Sequence, residues 1–134
     1  MDASRARQRL LEIASERERC ERVLVEARGP LVAGSLVERY TKCRRAGCKC
    51  MRGEPHGPFL YLSRNEGGRT RWSYIGKATE GPLALAAKRY KAFAEALRSL
   101  RRLEREAEEC YAAIEIALAV EPRALVPARN GRKS

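Results

Sequence analysis

Residues 58–75 read PFLYLSRNEGGRTRWSYI. Two short apolar runs, Phe59–Leu62 and Trp72–Ile75, flank a polar, glycine-centred turn, which is the pattern of a β-hairpin. Much of the remaining chain is written in a helical period, so this stretch decides for an α+β fold over a helical bundle. A two-residue Glu66-Gly67 turn and a four-residue Asn65–Gly68 loop give one register. It sets Tyr61 opposite Trp72, Phe59 opposite Tyr74, Leu60 opposite Ser73, Leu62 opposite Arg71 and Arg64 opposite Arg69. Because side chains alternate along a strand, one face becomes aromatic and the other part leucine, part arginine. The aromatic face is expected to be core, packed on the start of the following helix near Leu83, Tyr90 and Phe93, with the arginine face exposed. Stacking of single-stranded bases on those rings is the alternative.

Working upstream, SLVERYTK (residues 35–42) is expected to be a third strand. Between it and the hairpin lies TKCRRAGCKCMRGEPHGP (residues 41–58), which holds three of the five cysteines and the only histidine. Cys43, Cys48, Cys50 and His56 form C-x4-C-x-C-x5-H. Three thiolates and a neutral imidazole complete a closed tetrahedral shell for Zn²⁺. Gly47, Gly53 and Gly57 let the backbone wrap around an ion, and Arg44, Arg45 and Lys49 favour the thiolate forms. A small strand–loop–hairpin head has little core of its own, which is where a structural metal contributes most. With four protein ligands no coordination position stays open for substrate, so the zinc is read as structural.

Helical periodicity surrounds this head. Leu10, Ile13, Arg17, Cys20, Leu24 and Ala27 step by three and four along residues 3–28, and Gly29-Pro30 closes that helix. After Gly81-Pro82, the stripe Leu83, Ala86, Tyr90, Phe93, Leu97, Leu100, Glu104, Ala107, Tyr111, Ile114 and Leu118 keeps the same step over residues 83–120. A sustained 3.5-residue repeat is a coiled-coil seam. The expected architecture is one domain over residues 1–134. An antiparallel pair of long, coiled-coil-like helices carries a small three-stranded antiparallel, zinc-stabilised β head at residues 31–80. A basic, flexible tail follows at 121–134. An intermolecular coiled coil is the other use of the same stripes. Cys20 and Cys110 read as small core or seam residues.

The 134 residues carry a formal net charge of +11. The excess is local: residues 31–83 hold ten basic against four acidic side chains, whereas residues 1–30 hold seven against six. A basic patch on a near-neutral frame points to a polyanionic partner, most often nucleic acid. No apolar run is long enough to span a bilayer, and the charged N-terminus lacks a signal-peptide core. A cytoplasmic location, where thiols stay reduced, is therefore expected.

The run GSLVERYTKCRRAGCKCMRGEPHGPFLYLSRNEGGRTRWSYI (residues 34–75) resembles a small family of bacterial proteins of unknown function. Its form is GSLVER-x-x-KC-x4-C-x-C-x2-G-x2-HGPY, then a Y-x-L-x-x-x-x-GG hairpin and a long helix. Here Phe59 stands where a tyrosine is usual, and Arg45-Ala46 where Lys-Pro or a similar pair is common. The resemblance implies the same four ligands and a frequent setting near mobile elements; it brings no activity.

No phosphate-binding glycine loop, second histidine or G-x-S-x-G is present, so an enzyme is not expected. The expected function is non-catalytic nucleic-acid binding, of DNA more than RNA, with no membrane and no small-molecule substrate. Its phosphate contacts would come from Lys42, Arg44, Arg45, Lys49 and Arg52 on the loop and Arg64, Arg69 and Arg71 on the hairpin. The alternative is an adaptor whose helices bind a protein partner or a second copy, with the basic head only structural.

Overall fold

The computed structural model describes residues 1–43, 45–76 and 81–129. It is α+β: α1 (Ala3–Glu26), β1 (Ser35–Thr41), β2 (His56–Glu66), β3 (Arg69–Gly76) and α2 (Pro82–Leu118), with 3-10 turns at Lys49–Arg52 and Pro122–Ala124. The strands form one antiparallel sheet in the order β1-β2-β3. No helix among the described residues is long and apolar enough to cross a membrane.

The helix ends follow local chemistry. The Asp2 carboxylate accepts from the Arg5 backbone N–H at 2.8 Å, satisfying one of the orphan donors of the first turn of α1. At the other end, the Arg28 guanidinium donates to the carbonyls of Val25 and Ala27 at 2.9 and 2.8 Å. Those bonds satisfy carbonyls that the helix leaves free, and α1 stops at Glu26, two residues before the expected end. Pro82 opens α2, where a missing N–H costs nothing.

The chain divides into two compact units, Met1–Arg19 with the chain from Leu100 onward, and Cys20–Ser99. In the first, Ala6, Ile13, Leu103, Ala107 and Cys110 are buried. Arg9 donates from α1 to Glu106 of α2 at 2.9 and 2.7 Å and also reaches Glu12 and Glu16. The α1 stripe is as expected: Leu10, Ile13, Arg17, Cys20, Leu24 and Ala27 are all at least partly shielded. The α2 stripe holds at Ala107 and is corrected by one residue at two positions of its second half. Leu103 and Cys110 are buried, whereas Glu104 and Tyr111 face outward. Neighbouring positions both satisfy a three-and-four step. Burying Glu104 would strip a carboxylate of water, and burying Leu103 removes apolar surface.

In the second unit the buried residues are Cys50, Leu60, Leu62, Ala84, Ala86, Ala87 and Ala96. Two expectations about the sheet are overturned. The turn is the glycine pair Gly67-Gly68, closed by Glu66 opposite Arg69, so Tyr61 pairs with Tyr74, Leu62 with Ser73 and Arg64 with Arg71. Both turn residues have positive φ, 58° and 81°. A tight hairpin turn of this kind needs that at both central positions, and Glu66 could not supply it. The slip changes every partner yet leaves every side chain on its expected face.

The second correction concerns which face is core. Leu60 and Leu62 are the closed side, at 4 and 2 % exposure, whereas Trp72 and Tyr74 on the aromatic side are 46 and 57 % exposed. The α2 residues buried in this unit are the alanines Ala84, Ala86, Ala87 and Ala96. Leu83, which was expected to receive the rings, is itself 40 % exposed.

Candidate metal centre

The connection between β1 and β2 carries Cys43, Cys48 and Cys50, and His56 opens β2. The strand pairing Thr41–His56 brings the two ends of this connection together. Within it, the Cys48 N–H donates to the Arg45 carbonyl and the Met51 N–H to the Cys48 carbonyl, folding the segment into a 3-10 turn that delivers Cys50. Gly53 then takes a left-handed conformation, φ 94°, and reverses the chain toward His56. Gly57, at φ 135°, is the tightest position: a Cβ there would lie 2.7 Å from the Arg39 carbonyl oxygen. The family-like HGP is thus a packing requirement beside a candidate ligand.

The four ligand atoms lie within 4.8 Å of one another. Cys43 Sγ is 3.3 Å from Cys50 Sγ, and His56 Nε2 is 3.1 Å from Cys48 Sγ and 3.2 Å from Cys43 Sγ. Zn–S and Zn–N bonds in a tetrahedral shell place the ligand atoms about 3.5–3.8 Å apart. The observed spacings bracket that edge, and all four groups are of the types that zinc prefers. Cys50 is fully buried and the other three are half-buried, so the cluster is closed on one side and reachable on the other. The donor set fits a metal ion.

The thiols differ electrostatically. Cys48 is pulled down to about 6, first by a backbone hydrogen bond at Cys50 and then by the side chains of Cys43 and Cys50. Cys50 is pushed up to about 11, first by burial and then by hydrogen bonds with Cys43 and Cys48. The Cys48 pKa is lowered on folding, so its thiolate supports the fold above its ordinary range. That support fades as pH falls through about 6. Metal uptake at neutral pH must displace the Cys50 proton, and acid must weaken binding. Competition titrations between about pH 5 and pH 8 are expected to show zinc affinity falling with pH, with proton release on binding in weakly buffered solution.

The basic residues proposed to touch nucleic acid fall into two groups. Lys42, Arg45, Lys49 and Arg52 are exposed around the cluster and make no ion pair among the described residues. Arg44 lies outside the described residues. On the hairpin, Arg64 and Arg71 both bind Glu66, at 2.8 and 3.1 Å, while Arg69 is exposed beside the turn. Sequence reasoning missed Arg39, whose guanidinium carbon lies 4.7 Å from the Trp72 ring centroid and 6.0 Å from that of Tyr61. Alternation with Val37 carried that signal, but only the β1–β2 register connects it to the aromatic rings.

No curated protein and no solved structure matches the chain. Residues 4–82 match the family described as a domain of unknown function, DUF6788. That span takes in α1, the three strands and all four clustered ligands, more than half of the chain, and the protein therefore belongs to the DUF6788 family.

Proposed function

We propose that this protein is a non-catalytic, zinc-stabilised nucleic-acid-binding protein, with DNA its first target. In this reading Cys43, Cys48, Cys50 and His56 hold Zn²⁺ in a closed shell, and the metal orders a head carried on an antiparallel, coiled-coil-like helical pair. Zinc here supplies structure, by fixing a connection that has one buried side chain, Cys50, among its described residues. The observation that carries the reading is the division among the cations. Arg9, Arg64 and Arg71 are engaged by carboxylates, whereas Lys42, Arg45, Lys49 and Arg52 stand exposed around the cluster with no ion pair among the described residues. Exposed, uncompensated cations on a rigid loop are suited to phosphate contacts, which release counterions and make affinity fall with salt.

The test is a fluorescence-anisotropy titration of zinc-loaded protein with labelled duplex and single-stranded oligonucleotides at two or more salt concentrations. Replacing Arg45, Lys49 and Arg52 together by Ala is expected to reduce the magnitude of the log K against log salt slope by roughly two to three. Affinity at low salt should fall with it. An unchanged slope with the fold intact removes the loop from the contact surface, and no binding at low salt refutes the reading.

A second reading is favoured by one feature of the first unit: Tyr111 and Leu118, seven residues apart and so on one face of α2, are 56 and 62 % exposed. That surface suits an adaptor that docks a protein partner or a second copy. Zinc-loaded protein that ignores nucleic acid yet sediments as a dimer would favour it.

A further inference from the structure

Beside the metal loop, whose cations are suited to phosphate contacts, the aromatic side of the sheet is its open side. Tyr61 lies 5.4 Å from Tyr74 and 6.5 Å from Trp72 between ring centroids, and Phe59 lies 6.3 Å from Tyr74. The rings are tilted or edge-on to one another, interplanar 58 to 79°, so they do not close into a mutual stack. Trp72 and Tyr74 keep about half their surface in water, which is unusual for large apolar groups grouped on a rigid sheet.

The charge on this side is one-signed. Arg39 lies over Trp72 and Tyr61, and the strand ladder puts Glu38 and Glu66 on the opposite, leucine side. No acidic residue occupies a ladder position among the rings. Pairing of Arg39 with Phe59 and of Thr41 with His56 sets the metal loop at the end of the sheet where the rings begin. Flat aromatic faces, a guanidinium already stacked on one of them, and a collar of free cations at one end match a strand of bases and phosphates. They do not match a duplex, whose bases are already stacked on each other and withdrawn from a flat sheet.

We propose that the aromatic side of the sheet is a stacking platform for single-stranded nucleic acid, with bases on Trp72, Tyr74 and Tyr61, Arg39 as the cation beside them, and the metal-loop cations on the flanking phosphates. This rests on the nucleic-acid reading and specifies its ligand. Base–aromatic stacking serves any base and is insensitive to sequence, so the platform selects strandedness before sequence.

Trp72 is the only tryptophan in the chain, which gives a direct reporter. Zinc-loaded protein is titrated with dT and rU oligonucleotides of equal length and with a blunt duplex, while Trp72 emission and the anisotropy of labelled oligonucleotide are followed in parallel. Expected is quenching by the single strands and little by the duplex. Trp72→Ala and Tyr74→Ala should each weaken single-strand affinity by roughly 5- to 150-fold, the range of one base stacked on one ring. Trp72→Phe should keep most of the affinity, and circular dichroism of each variant reports retention of the fold. Preference between dT and rU identifies the sugar, and either preference supports the platform. Single-strand binding by anisotropy without Trp72 quenching, and unaffected by Tyr74→Ala, overturns the platform while leaving the loop reading intact. Absence of binding to every oligonucleotide overturns both. Concentration-dependent shielding of Trp72 in protein alone, with no response to single strands, assigns this side to a second copy and also overturns the platform.

Discussion

Cys48→Ser is expected to yield protein that retains no stoichiometric zinc and whose sheet region is unfolded, while much of the helical signal persists. Serine keeps the size of cysteine and loses the thiolate. The loss should exceed the roughly 10–100-fold that removal of an outer-shell partner costs a metal site. The connection from β1 to β2 explains why the fold should follow the metal. Among its described residues the one buried side chain is Cys50. Ordering a backbone costs about 1–2 kcal/mol per residue, and a single buried thiol cannot offset that over such a loop. Structural zinc supplies about 10–16 kcal/mol in small metal-folded domains. The helices, 24 and 37 residues long, have their own buried stripe and capped ends, so helical ellipticity should survive. Metal analysis with circular dichroism checks both halves, and Cys20→Ser, outside the cluster, serves as the zinc-retaining control. Full zinc content in Cys48→Ser would overturn the ligand set.

Leu62→Ala should be the most destabilising change in the sheet, and Trp72→Ala a mild one. Leu62 is 2 % exposed, and truncating a buried leucine costs about 2–5 kcal/mol, depending on how far the site collapses. Trp72 is half in water and is held by an edge contact with Tyr61 and by Arg39, which together account for about 1–2 kcal/mol. Urea midpoints measured at saturating zinc separate the two. The reverse order would mean that the aromatic side is core after all. This comparison also bears on the platform experiment: in a Trp72→Ala protein that stays folded, lost nucleic-acid affinity traces to the ring and the Arg39 it holds, not to unfolding.

Much of this architecture is legible in residue order because its causes are local. Gly29-Pro30 and Gly81-Pro82 punctuate two helical periods: α1 ends before the first pair and α2 begins within the second. Alternation in LVERYT, FLYLS and TRWSYI marks three strands, and all three are present. The four ligands are spaced so that one compact connection must bring them close, and their atoms do lie within 4.8 Å. Local chemistry also separates the faces of the hairpin correctly, even with the turn misplaced, since a slip that changes partners by two preserves alternation.

Residue order alone thus sets the number and kind of elements, the ligand cluster, and which side chains share a face. Which face is covered depends on long-range packing, because both faces of the hairpin are apolar enough to be buried. The choice depends on the surface offered by the rest of the unit. Leu60 and Leu62 are buried, as are the alanines of α2 in the same unit, and the bulkier rings Trp72 and Tyr74 stay outside. The same is true of the α2 stripe, where desolvating Glu104 or Leu103 is a question that only a neighbouring surface poses. It is true as well of the arginines. Arg64 and Arg71 look free in the sequence, and the register that brings both within reach of Glu66 makes them share its one carboxylate. Arg39, unremarkable in sequence, becomes the cation of the open face because strand pairing lays it over Trp72.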